Sequence, residues 1–399
     1  MSETVGKKKD ILTARLAVAP LKLLVMPNIK PLGDEIDRYL VSFRKKRFPE
    51  GINDPEHQGY VADSYQASFS VPRFGSGEGK AVLGESIRGK DLYILTDVIN
   101  YSMTYEMNGF RNRYSPDDHY QDLKRVIAAV GGKAHRITVV MPFMYESRQH
   151  KRSARESLDC AMMIEELSDM GVSDLMTFDA HDPSVQAAAP LCGFDNFTPF
   201  YQFLRALLKS EDDLMIDADH VVVISPDEGA LNRAIYFATV LGVDTGMFYK
   251  RRDYAHIVDG KNPIVAHEFL GDSVEGKDVI IVDDMISTGG SMLDTARQLK
   301  EMKANRVFIC CTFGLFTEGL EIFDEAYGKQ YFDRIITTNL HYRRPELLTR
   351  EWYIEADMSK LIAQIIDFSN LDVSMDKVRT PTEKIREILS IYNEHVDKD

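Results

Sequence analysis

The segment Gly276–Met292, GKDVIIVDDMISTGGSM, constrains this chain more than any other. An apolar run, Val279–Val282, ends in paired acids, Asp283 and Asp284. A short loop of Ser287, Thr288, Gly289, Gly290 and Ser291 follows, and then the helical pattern LDTARQLKEM. The order predicts a buried strand, a phosphate-sized loop and a helix N-terminus. Small residues let backbone N–H groups converge on an anion, hydroxyls add donors, and the helix start carries partial positive charge. Two acids at the strand's end are placed to bind the vicinal hydroxyls of a sugar, directly or through a metal. Gly-Gly alone marks an ordinary strand–turn–helix unit; together with the acid pair and the hydroxyls it reads as a ribose-phosphate site.

Strand-like runs alternate with helical patterns along most of the chain: LYIL (92–95), ITVVM (137–141), LMTF (175–178), HVVVIS (220–225), DVIIV (278–282) and RVFICC (306–311). The stretch ESLDCAMMIEELSDMG has helical spacing and stops at Gly171, a C-terminal cap. Strands separated by helices predict parallel sheets with helices on both faces. Two polar stretches without a period, Pro49–Tyr65 and Tyr105–Tyr120, read as long loops. Thr380–Tyr392 has helical spacing and is expected to pack back on the body of the protein.

The chain also repeats itself. GKDLYILTDVIN (89–100) lines up with GKDVIIVDDMIS (276–287), MTFDAH (176–181) with ITTNLH (336–341), and ITVVMPF (137–143) with VFICCTF (307–313). Three matches in one order predict a duplicated α/β unit. Only the second copy keeps the phosphate loop, because Asn100, Tyr101 and Ser102 replace its small residues.

The length, 399 residues, suffices for two domains with their own cores. Sixty-two acids against 48 Lys and Arg give a net charge of −14, which argues against general nucleic-acid or membrane-surface binding. An anionic substrate must then be held by local basic clusters. Four cysteines without metal-ligand spacing read as buried thiols in a reducing cytosol. With no apolar signal region behind MSETVGKKKD and no run of transmembrane length, the expected location is cytoplasmic.

Basic clusters lie just past strand-like runs, where open α/β sheets place their ligands. Arg148-Gln149-His150-Lys151-Arg152 follows the run 137–141 through Pro142 and suits a triphosphate. Asp179 and His181 follow LMTF, and Asp227 follows HVVVISP, with Gly229 turning the chain into a helix that includes Arg233. Taken alone, His181 reads as a hydrogen-bonded loop residue; in company with Asp227 it reads as a Mg²⁺ site on phosphate oxygens. Lys250-Arg251-Arg252 leaves another strand and precedes a polar stretch, 253–269, with the character of a flap or of a plain charged hairpin. Cations on a closing flap suit phosphoryl-type transfer.

At this point the residues resemble one family, the ribose-phosphate pyrophosphokinases, also called phosphoribosyl pyrophosphate (PRPP) synthetases. The resemblance runs from about Arg73 to Leu315 and rests on RFGSGE (73–78), GESIRGKD (84–91), RQHKRSARES (148–157), TFDAH (177–181), FDN (194–196), SPDEGALNRA (225–234), KRR (250–252) and VDDMISTGGS (282–291). The last motif is shared with phosphoribosyltransferases at large. The resemblance implies an α/β fold of two tandem phosphoribosyltransferase-type (Rossmann-like) domains with parallel sheets, related by internal duplication. Residues 1–203 are expected to form the ATP-side domain, 204–375 the ribose 5-phosphate domain, and 376–399 a C-terminal helix.

The implied reaction moves the diphosphoryl group of ATP to the C1 hydroxyl of ribose 5-phosphate, giving PRPP and AMP. By motif match, Asp283 and Asp284 would bind the ribose hydroxyls, and Ser287, Thr288, Gly289, Gly290 and Ser291 the 5-phosphate. Arg148 and Gln149 would contact ATP, with Phe74 and Glu78 reaching the adenine from the same or a neighbouring subunit. His181 and Asp227 would serve Mg²⁺, and Lys250 and Arg252 would be catalytic, stabilising the transition state. A homo-oligomer, such as a hexamer, is implied as well. The chain departs from the family at Ser76, His150 and Ser287, where Asp is usual, and the stretches 49–65 and 105–120 look like insertions. Two other readings share parts of the pattern: a phosphoribosyltransferase consuming PRPP, which leaves the Arg148 half idle, and a non-catalytic regulatory subunit.

Overall fold

The computed structural model describes residues 16–48, 59–252 and 264–396. They form two compact units. The first comprises the described residues up to Phe197 with Leu340–Tyr342 and Met358–Arg379; the second comprises Thr198–Asn339, Arg343–Asp357 and the described residues from Thr380 onward.

The first unit runs β1 (Leu21–Val25), α1 (Lys30–Arg47), β2 (Phe69–Ser70), β3 (Val82–Leu83), β4 (Asp91–Leu95), β5 (Thr104–Met107), β6 (Phe110–Arg113), α2 (Pro116–Val130), β7 (Arg136–Val140), α3 (Asp159–Asp169), β8 (Asp174–Phe178) and β9 (Gly193–Phe197). Its main sheet is parallel, in the order β1-β4-β7-β8-β9. The interior strand β4 is buried along its whole length, which is why LYIL reads as a continuous apolar run rather than an alternating one.

The second unit continues with α4 (Phe200–Ser210), β10 (Val221–Ser225), α5 (Leu231–Leu241), β11 (Asp244–Arg252), β12 (Ile264–Leu270), β13 (Asp278–Ile286), α6 (Gly290–Glu301), β14 (Val307–Gly314), α7 (Glu321–Gly328), β15 (Arg334–Thr338) and β16 (Tyr353–Ala356). Seven strands pair as β12-β11-β10-β13-β14-β15-β16, all parallel except for the β11–β12 hairpin. Successive strand residues alternate between two cores. Val279, Ile281, Val307 and Ile309 meet α6 and α7 on one face, whereas Ile280, Val282, Phe308 and Cys310 meet α4 and α5 on the other. A sheet covered on both faces is the arrangement expected from the alternating pattern.

The chain then crosses back. Helix α8 (Ser359–Asn370) belongs to the first unit, α9 (Asp376–Arg379) follows it, and α10 (Thr382–Val396) belongs to the second. The expectation of one boundary at 203/204, with 204–375 in a single domain, therefore differs from the folded chain. The reason is a buried ionic junction. Arg44 on α1 donates to Asp367 (2.8 Å) and Asn370 (2.7 Å), and Arg47 donates to Asp367 (2.8 Å). As expected, α10 packs back: Ile385 and Leu389 enter the second unit's core, and Asn393 donates to the Ile216 carbonyl at 2.9 Å.

Of the two stretches read as loops, 59–65 carries no helix or strand, whereas 105–120 does. Of 49–65, residues 49–58 lie outside the described residues, but Tyr60 and Tyr65 are buried, with the Arg44 guanidinium 4.2 and 4.9 Å from their ring centroids. Residues 105–120 hold most of the β5–β6 hairpin and the start of α2. Asn108 (φ 51) and Gly109 (φ 78) supply its two-residue turn, and Ser115 with Asp118 makes a capping box for α2.

Candidate active site

In the second unit the strand does not stop at the acids. β13 keeps its pairing with β14 through Met285–Phe313 and Ile286–Gly314, so Asp283 and Asp284 are strand residues rather than the strand's end. The loop is pinned behind them: Leu315 N–H donates to the Ile286 carbonyl (2.9 Å) and Thr317 N–H to that of Ser287 (3.0 Å). Gly289 caps α6 with φ 91, and a Cβ there would lie 2.1 Å from Phe323 Cζ; both facts demand glycine. Gly290 opens the helix, and a Cβ there would meet nothing within 4 Å. Thr288, Gly290 and Ser291 are exposed at the α6 N-terminus, the kind of helix start that can receive an anion.

The two acids stand in a buried, mutually repelling arrangement. Asp284 is buried, and the Asp283 carboxylate accepts the Asp284 N–H at 2.8 Å. Burial pushes the Asp283 carboxyl well above the usual carboxylate range, and the charges of Asp284 and Asp227 push it further. Arg233 on α5, 3.7 Å from Asp283 Oδ1, pulls the other way. The sequence names Arg233 only as part of a helix; its place in the site comes from β10 and β13 being parallel neighbours. Asp227 follows β10 and orders its own turn, accepting the Gly229 N–H at 3.0 Å. Carboxylates brought together in this way suit the hydroxyls of a sugar or a divalent cation.

Lys250 and Arg252 end β11, where Lys250 pairs with His267 and the register shifts between Arg251 and Arg252. Their backbone is described and their side chains are not; segment 253–263 of the expected flap lies outside the described residues.

In the first unit, Arg148 and Gln149 occupy the irregular segment after β7, and Gln149 Nε2 donates to the Ser157 carbonyl at 2.8 Å. His150, a member of the basic cluster and a departure from the family, stands at 3.4 Å from Asp182 and edge-on to His181, their ring centroids 5.2 Å apart. Asp179 is buried at positive φ (47), and its N–H donates to the Phe197 carbonyl at 2.8 Å, which fixes the turn leading to His181. Phe74 and Glu78 bound the turn between β2 and β3. Phe74 is 51% exposed, and Glu78 accepts the Ser76 hydroxyl at 2.8 Å. Thus Asp227, Asp283, Asp284 and the 287–291 loop gather in the second unit with Lys250 and Arg252 on its β11 strand, while Phe74, Glu78, Arg148, Gln149 and His181 belong to the first. Among the described residues, no three His, Cys, Asp or Glu side chains are grouped as a metal cage.

Both halves match known families. Residues 21–171 match the N-terminal domain of ribose phosphate pyrophosphokinase, and residues 195–341 match the phosphoribosyl transferase domain. The ribose-phosphate pyrophosphokinase of Vibrio parahaemolyticus is 30% identical over 323 residues, covering 79% of this chain and 93% of the relative. That of Shewanella oneidensis is 31% identical over 300 residues, covering 74% and 85%. The crystal structure of phosphoribosylpyrophosphate synthetase from Mycobacterium smegmatis superposes with a TM-score of 0.66 at 21% identity, covering 88% of this chain and 98% of that one, which shows the shared fold. Tandem α/β units, the strand–acid–loop–helix site and these likenesses agree: the chain is a member of the ribose-phosphate pyrophosphokinase family and of its enzyme class.

Proposed function

We propose that this chain transfers the diphosphoryl group of ATP to the C1 hydroxyl of ribose 5-phosphate, releasing PRPP and AMP. The observation that carries the reading is the second unit's site, where two strand acids stand immediately before an exposed helix N-terminus. The loop Ser287–Ser291 holds the 5-phosphate through N–H groups and hydroxyls, and Asp283 and Asp284 accept from the ribose hydroxyls, which fixes the sugar's orientation. The C1 oxygen forms the new bond to the β-phosphorus; the bond from that phosphorus to the α-bridging oxygen breaks, AMP keeps the oxygen, and the hydroxyl proton passes to solvent. Arg148 and Gln149 bind the triphosphate, Phe74 and Glu78 the adenine, and Lys250 and Arg252 offset charge that develops on the transferring group.

The donor chemistry fits Mg²⁺. This ion takes one or two carboxylates, with substrate phosphates and water completing its shell, rather than an all-protein cage. Asp227 of the second unit and His181 of the first are each proposed to serve Mg²⁺, which when bound would supply positive charge to triphosphate oxygens. The chain is read as a cytoplasmic homo-oligomer; no described helix is long and apolar enough to cross a membrane. Purified protein given Mg²⁺, ATP and ribose 5-phosphate is expected to form AMP and PRPP only when the sugar is present. Base-dependent consumption of added PRPP, or ligand binding without turnover, would overturn the assignment.

A further inference from the structure

The turn between β2 and β3 does not stand on its own backbone. Gly77 N–H donates to the Phe74 carbonyl (2.8 Å) and Phe74 N–H to that of Glu78 (2.7 Å), a three-residue hairpin loop closed by Gly77 at φ 91. A further element, the β5–β6 hairpin, holds this loop from one side. Asn108 N–H, at the hairpin's turn, donates to the Gly75 carbonyl at 2.8 Å. Met107 packs so tightly under the loop that a Cβ on Gly77 would lie 2.6 Å from its Sδ. Arg73, which leads into the loop, has its guanidinium 5.2 Å from the ring centroid of Tyr105 and 5.0 Å from that of Tyr114, and donates to both Asp122 oxygens (2.7 and 3.0 Å). Three independent contacts from one hairpin therefore set the conformation of the loop bearing Phe74 and Glu78.

We propose that the β5–β6 hairpin is a positioning element for nucleotide recognition: it holds the Phe74–Glu78 turn in the shape that receives the purine of ATP, and Met107 and Tyr105 are its positioning residues. The inference rests on the proposed role of Phe74 and Glu78. Loosening the turn makes ATP binding bear the cost of ordering it, and leaves the ribose phosphate loop of the other unit unaltered.

The test compares Met107→Ala, Tyr105→Ala, the conservative Tyr105→Phe, and a variant with residues 105–112 replaced by Gly-Gly, each checked for a parental melting temperature. Met107→Ala and Tyr105→Ala are expected to raise KM for ATP about tenfold and to relax the preference for ATP over GTP, with KM for ribose 5-phosphate changed less than about twofold. Tyr105→Phe should restore parental values. Parental KM for ATP in Met107→Ala and Tyr105→Ala, or an equal rise for both substrates, overturns the proposal, and it does so whether or not the shortened variant folds. Calorimetric titration with ATP reads the same change without turnover. A parent chain lacking sugar-dependent AMP formation therefore defeats the functional reading and not this one.

Discussion

The two glycines of the phosphate loop make opposite predictions, and together they test whether the α6 N-terminus holds an anion. In Gly289→Ala the new methyl must adopt φ 91 and would meet Phe323 Cζ at 2.1 Å. The left-handed conformation costs an L-residue about 1–2 kcal/mol, and forced overpacking about 1–3 kcal/mol. Phe323 cannot retreat, because its ring is buried against Phe316 and Trp352 at centroid distances of 4.9 and 6.0 Å. Gly289→Ala should therefore lose about 2–5 kcal/mol of stability in urea unfolding. In Gly290→Ala the methyl meets no heavy atom within 4 Å and the residue is helical, so stability should hold or rise by up to about 1 kcal/mol. Yet a methyl at that position shields the helix start from a closely approaching phosphate. Losing one charge-assisted N–H bond costs about 1.5–3 kcal/mol, or roughly 10- to 150-fold in affinity. Calorimetric titration of ribose 5-phosphate into Gly290→Ala decides the matter. Parental affinity in this folded variant would mean that the phosphate does not sit on the α6 N-terminus, and the reading of the loop would be refuted.

Four further outcomes are expected. A carboxyl whose folded pKa is raised keeps a proton that the unfolded chain has lost, so stability falls as pH rises through that window. Asp283 is raised, chiefly by burial, so Asp283→Asn should melt higher than the parent at about pH 8, by a gap that shrinks toward about pH 4, while turnover is lost; a gap independent of pH would contradict this. Asp174 is pushed up to about 7 by burial and then by the charge of Asp195, so Asp174→Asn should gain melting temperature between about pH 4 and pH 7 and hold the gain above it. Arg44→Ala leaves Asp367 buried with Arg47 as its remaining cation, and urea unfolding should show a loss of about 3 kcal/mol, the lower end for a broken buried pair. Lys250→Ala and Arg252→Ala should each lower kcat about 100- to 1000-fold with ribose 5-phosphate affinity retained; near-parental turnover in both would remove them from the mechanism.

What could be read from the chain was what its local chemistry dictates. Each apolar run named in the sequence became a strand, because a strand buried on both faces needs uninterrupted Val, Ile and Leu. The acid pair hid the true length of β13, since two acids look like a strand's end and only the pairing with Met285 and Ile286 shows that the ladder continues. The β5–β6 hairpin escaped for a different reason. Its strands, TYEM and FRNR, are partly or fully exposed and lack an apolar face, although Asn108-Gly109 and Ser115-Pro116-Asp117-Asp118 are turn and cap signals. The return of α8 to the first unit had no local signal at all, because Arg44 and Asp367 are 323 positions apart.

The duplication shows why only one copy is proposed to carry a phosphate loop. The two sheets place their shared strands alike, β1-β4-β7-β8-β9 against β10-β13-β14-β15-β16. At their lower edges the repeated Gly-Lys-Asp makes the same bonds twice. Gly89 and Gly276 donate to the carbonyls of Lys133 and Lys303, both at 2.9 Å, while Asp91 and Asp278 take the guanidinium groups of Arg136 and Arg306. At the opposite ends the copies part. In the first, Asp97 accepts the N–H groups of Ile99 (3.1 Å) and Tyr342 (2.7 Å), and Asn100 accepts from Ser102 N–H (2.9 Å) and hydroxyl (2.7 Å). In this loop the Ile99 and Ser102 N–H groups are already taken by the side chains of Asp97 and Asn100, so a phosphate there would have to displace them. In the second, Asp283 and Asp284 precede a loop of Gly and hydroxyl residues that leads straight into a helix of twelve residues. The scaffold is common to both; on the proposed reading, a few side chains at one strand end decide whether the loop closes on the protein or is left to receive an anion.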